Sequence, residues 1–446
     1  MFGFLKKIVA PTANPIGVDF GTDCLRMAQV QTIDGEPRIV AAGSADVPSH
    51  VRNDPAARAA FFVETARDLL AQGKFKGRQA VLALPAAQMY IQHLRIPRLD
   101  DEATRKALPW EARGKIPIDP SHALLRHTIA GEIYQDSEPR NEVILMAAAR
   151  DTVNSMLASA AKAKLDVIGM NVEPMAIVDC FGHIYRRKTD QTAVVCFVDI
   201  GYKSTRAVIA CGPRILFARS IPVGGEHFNR AVAQVLSIGQ EEAKLLRIKL
   251  AQAQPSLDEH RARQEIRAAD APEAEAAPAS AEESGGFALL NVSLAKAEKE
   301  GKGGVATVPA QAGGAKPQAA KGGNHMPADP GEQIVLVEEA CHEPLVRLVE
   351  ELDRCRRYYE ATFPSKPVEK LIFVGGEARQ RRLCQNVARE MSLAAQVGDP
   401  LVRMGRLSEV GIESGIDRRQ PQPGWATAIG LSLGPIAGHA TSGATE

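Results

Sequence analysis

Two hydrophobic rhythms alternate along the chain, one of period two and one of period 3.6. Apolar runs near the start predict three strands, Ile16–Asp19, Leu25–Gln31 and Pro37–Ser44, with turns at Gly21–Asp23 and Asp34-Gly35. Asp54-Pro55 then offers a helix cap and a first-turn proline. In AARAAFFVETARDLLAQG, Phe62, Ala66, Leu69 and Leu70 share one helical face, and Gly73 ends the helix. A second segment, about Arg78 to Leu165, continues with AVLALP and IQHLRIP as strands. DDEATRKALPWEARGKIPIDP reads as mostly helical, with Pro109 an awkward interior residue. Trp110 beside it reads as a core residue, with a protein-binding surface as the alternative. NEVILMAAAR reads as a buried strand and DTVNSMLASAAKAKL as a helix capped by Asp151.

VVCFVDIGYKSTRAVIAC, Val194 to Cys211, opens a third segment of strands. In IPVGGEHFNRAVAQVL a strand leads through Gly224-Gly225 into a helix whose apolar face holds Phe228, Val232, Val235 and Leu236. The character then changes. From about Ala251 to Pro330 the chain is rich in Ala, Gly, Pro, Glu and Lys, with a short apolar patch at Phe287–Leu294. Such a composition buries too little surface to offset its ordering entropy, so the segment is predicted to be disordered. A long helix follows, marked by Leu345, Leu348, Val349, Leu352 and Tyr359. Then come the strand KLIFVGG, a helix around Leu383 and Val387, and a last helix in GWATAIGLSL. The leader MFGFLKK and the tail after Pro435 read as loose.

At 446 residues the chain is too long for one ordinary core, so more than one domain is expected. Lys+Arg of 54 against Asp+Glu of 53 leaves a net charge of +1, without the basic excess of a nucleic-acid binder. The seven cysteines form no CxxC and read as reduced thiols in a cytoplasm. No apolar run approaches the roughly 18 residues that span a bilayer.

The chemistry lies in a repeated arrangement. Asp19, Gly21 and Thr22 end the first strand; Asp199, Gly201, Ser204 and Thr205 sit alike in the third segment. A glycine one residue past the aspartate lets the turn approach a phosphate, and the following amides and hydroxyls donate to it. The aspartates themselves suit Mg²⁺, held through water. Two such hairpins facing each other would grip a polyphosphate. A third glycine pair, Gly375-Gly376 in FVGGEA, follows a strand and suits a base or ribose.

This constellation resembles the actin-like ATPase superfamily, shared with Hsp70 chaperones and sugar kinases. The hairpins match its two phosphate motifs and Gly375-Gly376 its adenosine motif. Glu173, in NVEPMAIVDC, falls where filament-forming members carry a water-positioning residue. The chain more closely resembles the PilM family of type IV pilus assembly. QAVLALP…IQHLRIPRLDDEATRKALPWEARGKIPID looks like the extra subdomain that this family shares with the division protein FtsA, and ARSIPVGGEHFNRAVAQVLSIGQEEAKLLR like its entry into the second domain.

The resemblance implies an α/β, actin-like (ribonuclease H-like) two-domain fold. Residues 15–80, 166–190 and 401–435 would form the first domain and 81–165 the extra subdomain. The second domain would take 191–250 and 331–400, leaving 251–330 as insertion and 436–446 as tail. It implies ATP and Mg²⁺ as ligands, with Asp19 and Asp199 at the metal. Gly21, Thr22, Gly201, Ser204, Thr205, Gly224, Gly225, Lys244, Arg247, Gly375 and Gly376 would line the nucleotide, and Glu173 would act in any slow hydrolysis. Lys244 and Arg247 stand where the superfamily contacts ribose and base, while Asp23 is an acidic departure in the first phosphate turn. The implied partner is the short cytoplasmic N-terminus of a PilN-like inner-membrane protein, which would hold the chain at the inner membrane. Pilus motor ATPases and a second copy are further implied partners. A small-molecule kinase of the same superfold is the rival reading, but a kinase needs a further base near the γ-phosphate. FtsA-like division proteins end in an amphipathic membrane helix, unlike GPIAGHATSGATE.

Overall fold

A computed structural model describes residues 13–185, 191–251, 330–406 and 415–434. The leader MFGFLKK, the interior of the insertion with Phe287–Leu294, and the tail lie outside the described residues. Three strands open the chain: β1 (Ile16–Phe20), β2 (Cys24–Ile33) and β3 (Glu36–Asp46). Asp34 and Gly35 both take positive φ, the paired left-handed geometry of a tight hairpin turn. Helix α1 (Pro55–Gln72) begins where Asp54 accepts hydrogen bonds from the amides of Ala56 and Ala57. It buries Phe62, Ala66 and Leu70 against the sheet and stops at Gly73. β4 (Gln79–Leu84) follows, then β5 (Met89–Pro97), α2 (Asp101–Glu111), β6 (Ala123–Gln135), β7 (Glu138–Ala149), α3 (Arg150–Lys162), β8 (Asp166–Val172) and α4 (Glu173–Phe181).

The second lobe repeats the opening: β9 (Val194–Ile200), β10 (Thr205–Cys211) and β11 (Arg214–Ile221). Helices α5 (Gly225–Leu236), α6 (240–251) and α7 (Pro330–Thr362) come next. β12 (Lys370–Val374), α8 (Arg381–Met391), β13 (Ala394–Val397), the two-residue β14 (Gly405–Arg406) and α9 (Ala426–Leu433) complete the described fold.

The two large sheets share one plan. In the first, the order is β14-β3-β2-β1-β4-β8; in the second it is β11-β10-β9-β12-β13. Each has an antiparallel three-strand meander whose first strand pairs in parallel with the next strand, β4 or β12. The aspartates thus end equivalent central strands, β1 and β9. A separate three-stranded sheet, β5-β7-β6, is covered on one face by α2 through Leu108 packed with Leu94, Ile96 and Leu145.

Several details differ from expectation. AVLALP is β4, paired with β1 and β8 in the first sheet and not in the three-stranded one. Asp151 does not cap α3: the cap position is Ala149 and Asp151 lies in the first turn. Trp110 is 72% exposed, because α2 turns Thr104 and Leu108 inward instead. Pro109 is tolerated in the final turn, and α2 ends two residues later.

Two features fix the frame. Buried α9 packs against α4 and β1 so closely that only glycine fits at two positions: a Cβ on Gly430 would lie 1.7 Å from the Ala176 carbonyl oxygen, and one on Gly17 1.9 Å from that of Ala428. In the second lobe, Leu246 and Leu250 of α6 share a buried cluster with Ile334 and Val337 of α7. The chain therefore leaves α6 and enters α7 at adjacent points.

Candidate nucleotide cleft

Between the lobes lies a cleft of about 800 Å³. Asp19, Gly21 and Thr22 line it from the first hairpin, Asp199, Gly201 and Ser204 from the second, and Gly375, Gly376, Glu173 and Lys244 complete it. Gly375 takes φ +89°, and a Cβ there would sit 2.3 Å from the Asp199 Oδ1. Its amide donates to the Pro423 carbonyl at 3.0 Å, tying the glycine turn to the segment before α9.

Other predicted residues stand behind this surface. The Thr205 hydroxyl is fully buried and donates to the Val223 carbonyl at 2.7 Å, so it braces the hairpin. Gly224 and Gly225 pack under the second phosphate turn: the Gly225 amide donates to the Gly201 carbonyl at 2.9 Å, and a Cβ on Gly224 would meet that oxygen at 2.6 Å. Arg247 is buried, bonded to Glu377 at 2.8 Å and to Asn229 at 2.6 Å, where it holds α6 to the turn after Gly376. Lys244 lines the cleft, but its Nζ binds both Asp23 oxygens, at 3.1 and 2.9 Å. Asp23 also meets Arg52 at 2.9 Å. The acidic departure in the first phosphate turn is therefore neutralised by two cations. Arg52 reaches on to Glu241 and lies over the Tyr202 ring, so this cluster joins the lobes along one rim.

Two of the buried carboxyl groups, Asp19 and Glu173, are perturbed. Burial pushes Asp19 up to about 6, against the pull of Arg26 and Arg206. Burial also pushes Glu173 up to about 8; Arg206 opposes this and Asp19 and Asp199 add to it. The Glu173 Oε2 is buried without a hydrogen-bond partner among the described residues, although the Arg206 Nη1 stands 3.1 Å away. The raised value favours the protonated form of Glu173, which donates a hydrogen bond and is not a base.

Three arginines were not foreseen. Arg206 binds Asp199 through Nε and Nη2, both 2.7 Å from Oδ2. Arg26 and Arg379 line the cleft, Arg379 donating to the Gln422 side chain at 3.0 Å. The legible signal for two of them is spacing, since Arg26 and Arg206 each fall seven residues after their aspartate. A nucleotide's phosphates suit the glycine turns of this cleft and the arginines that stand beside them, although the lining as a whole balances acidic and basic side chains. Mg²⁺ at Asp199 does not fit: the Arg206 guanidinium holds the Asp199 Oδ2, so the carboxylate already carries a fixed cation, and its Oδ1 faces the close-packed Gly375 turn.

The family model for the type IV pilus assembly protein PilM matches residues 17–256, more than half of the chain. The chain belongs to the PilM family. A model for the cell division protein FtsA matches residues 196–430, consistent with a plan shared between PilM and FtsA proteins. No curated protein matches in sequence. Among solved structures, a PilM-PilN type IV pilus biogenesis complex aligns with TM-score 0.65 at 18% identity, covering 94% of this chain and 98% of that one. The ethanolamine utilization protein EutJ from Carboxydothermus hydrogenoformans gives 0.46 at 13% identity, with 95% and 90% covered. Component A of (R)-2-hydroxyglutaryl-CoA dehydratase from Acidaminococcus fermentans gives 0.40 at 8%, with 95% and 97% covered. The fold is the actin-like, two-lobed α/β fold of PilM, with the extra subdomain built on the three-stranded sheet. Among the described residues no helix is long and apolar enough to cross a membrane.

Proposed function

We propose that this PilM-family chain is a nucleotide-binding assembly platform of a type IV pilus or related secretion or competence machine. It takes ATP in the interlobe cleft and docks the short cytoplasmic N-terminus of a PilN-like inner-membrane protein, which holds it at the membrane. The observation that carries the nucleotide part is the pair of Asp-x-Gly hairpins facing one cleft, with Gly375-Gly376 on its wall. Hydrolysis is slow or absent on this reading, since burial favours the protonated form of Glu173, which is not a base.

Support for the partner comes from the solved complex, whose name pairs PilM with PilN, and from the three-stranded sheet. Its edge strands β5 and β6 each have a ladder neighbour on one side only among the described residues. Such an edge can accept an extended peptide through backbone bonds. Contacts with motor ATPases and self-association belong to the same proposal. The test is twofold. ATP titrated into the full chain in a calorimeter should give saturable heat. The chain should co-sediment with inner-membrane vesicles carrying the PilN-like protein and not with vesicles lacking it. Equal recovery on both vesicles would place recruitment elsewhere.

A further inference from the structure

The two hairpins share more than their aspartate and glycine. Asp19 to Arg26 reads DFGTDCLR and Asp199 to Arg206 reads DIGYKSTR, so both follow Asp-x-Gly-x₄-Arg. In each, the antiparallel register sets the arginine directly opposite the aspartate: Asp19 with Arg26 in β1–β2, Asp199 with Arg206 in β9–β10. Directly opposed residues of an antiparallel pair point to the same face. Each of these two aspartates thus faces a guanidinium delivered by its own hairpin.

In the second lobe this pair is closed. The Arg206 guanidinium touches Asp199 at 2.7 Å and stands 3.1 Å from Glu173, with all three side chains nearly buried. It also lies beside the phosphate turn, since a Cβ on Gly201 would meet its Nη2 at 3.2 Å. In the first lobe Arg26 projects across the cleft floor, where a Cβ on Gly424 would meet its Nη2 at 3.2 Å. A fixed cation therefore stands at Asp199, where a hydrated divalent ion would otherwise be placed.

We infer that Arg206 replaces the divalent cation, and that the cleft binds a nucleoside polyphosphate without metal, Arg26 and Arg206 meeting the phosphates from the two hairpins. This rests on the nucleotide reading above. Guanidinium groups are suited to the task, being permanently charged and matched in geometry to phosphate oxygens.

The experiment is calorimetric titration of the full chain with ATP, once in EDTA and once in excess Mg²⁺. The expected dissociation constants agree within about twofold. Tightening by Mg²⁺ of about tenfold or more would overturn the inference and leave the nucleotide reading standing. Absence of binding in both buffers would overturn the nucleotide reading itself, and this inference with it. Arg206→Ser should weaken binding in EDTA by about tenfold or more and recover it when Mn²⁺ is added, as Asp199 is released. Undiminished binding of that variant in EDTA would count against the role assigned to Arg206. Should Arg206→Ser not fold, Arg26→Gln supplies a second variant, expected to weaken binding equally with and without Mg²⁺. Loss in only one buffer would refute the shared role.

Discussion

Lys244 spans the cleft to Asp23, binding both carboxylate oxygens from the opposite lobe at 3.1 and 2.9 Å. Asp23 lies in the first phosphate turn and Lys244 on α6, so the pair is a direct tie between lobes. It is partly shielded, with side-chain exposures of 16% and 26%. A double-mutant cycle between Lys244→Ala and Asp23→Ala should give a coupling of about 0.5–1.5 kcal/mol by urea denaturation. Lys244→Ala should also speed release of a fluorescent ATP analogue, read by stopped flow. Unchanged release would mean the tie does not gate the cleft.

Glu142 links the three-stranded sheet to the second lobe. Fully buried, it accepts from His93 at 3.0 Å and from the Tyr358 hydroxyl of α7 at 2.8 Å, with Arg95 at 3.3 Å. Burial works against its charge, but these donors win and hold its pKa below the usual carboxylate range. A depressed carboxylate stabilises the fold above its unfolded pKa, and that contribution is lost as pH falls through the folded value. Glu142→Gln should therefore cost about 1–3 kcal/mol at neutral pH. The gap to wild type should narrow below about pH 4, where the unfolded carboxyl protonates. A gap constant with pH, measured by denaturant melts, would rule out charge as the source.

Glu173 has the opposite sign. Its folded pKa is raised to about 8, so the folded state binds the proton more tightly than the unfolded one. That contribution is full below the ordinary glutamate range and is lost as pH rises toward 8. Glu173→Gln, which keeps the shape without the titration, should melt close to wild type at pH 4 and higher than wild type at pH 9. Parallel melting curves across that range would contradict the raised value.

Gly430→Ala should be severely destabilising, because the added methyl would fall 1.7 Å from the Ala176 carbonyl. Helix α9 must move off α4, at a cost of about 3 kcal/mol or more. Gly239→Ala is the control, since a Cβ there meets nothing within 4 Å, and it should cost about 1 kcal/mol or less. Equal costs would mean that α4 and α9 have slack the packing does not show.

Much of the frame was legible because local signals agreed with tertiary need. The turn at Asp34-Gly35, the Asp54 cap and the Phe62–Ala66–Leu70 face of α1 all lie where pattern put them. The residues gathered in the cleft were legible for the same reason, as strand ends and glycines announce themselves. What escaped depends on neighbours distant in sequence. Lys244 reads as a ribose contact until Asp23 is seen beside it. Arg247 reads as a ligand until Glu377 and Asn229 are seen to accept its hydrogen bonds. Trp110 reads as core until α2 is docked by Leu108. Arg206, taken alone, carries no signal in the sequence; only the β9–β10 register, seven positions on from Asp199, sets it opposite that carboxylate.

The adjacency of the α6 and α7 ends has a consequence for how this chain tolerates change. Leu250 and Ile334 share one cluster, so whatever joins them spans almost no distance. Lengthening such a connection costs little, about 0.6 kcal/mol for each doubling. The point is expected to act as a splice port: the two helix ends are held together by their own packing, so an insert grafted between them has no gap to bridge. A fluorescent reporter grafted between the two helices is expected to ride on the second lobe, beside the cleft that Ile248 and Ala251 line.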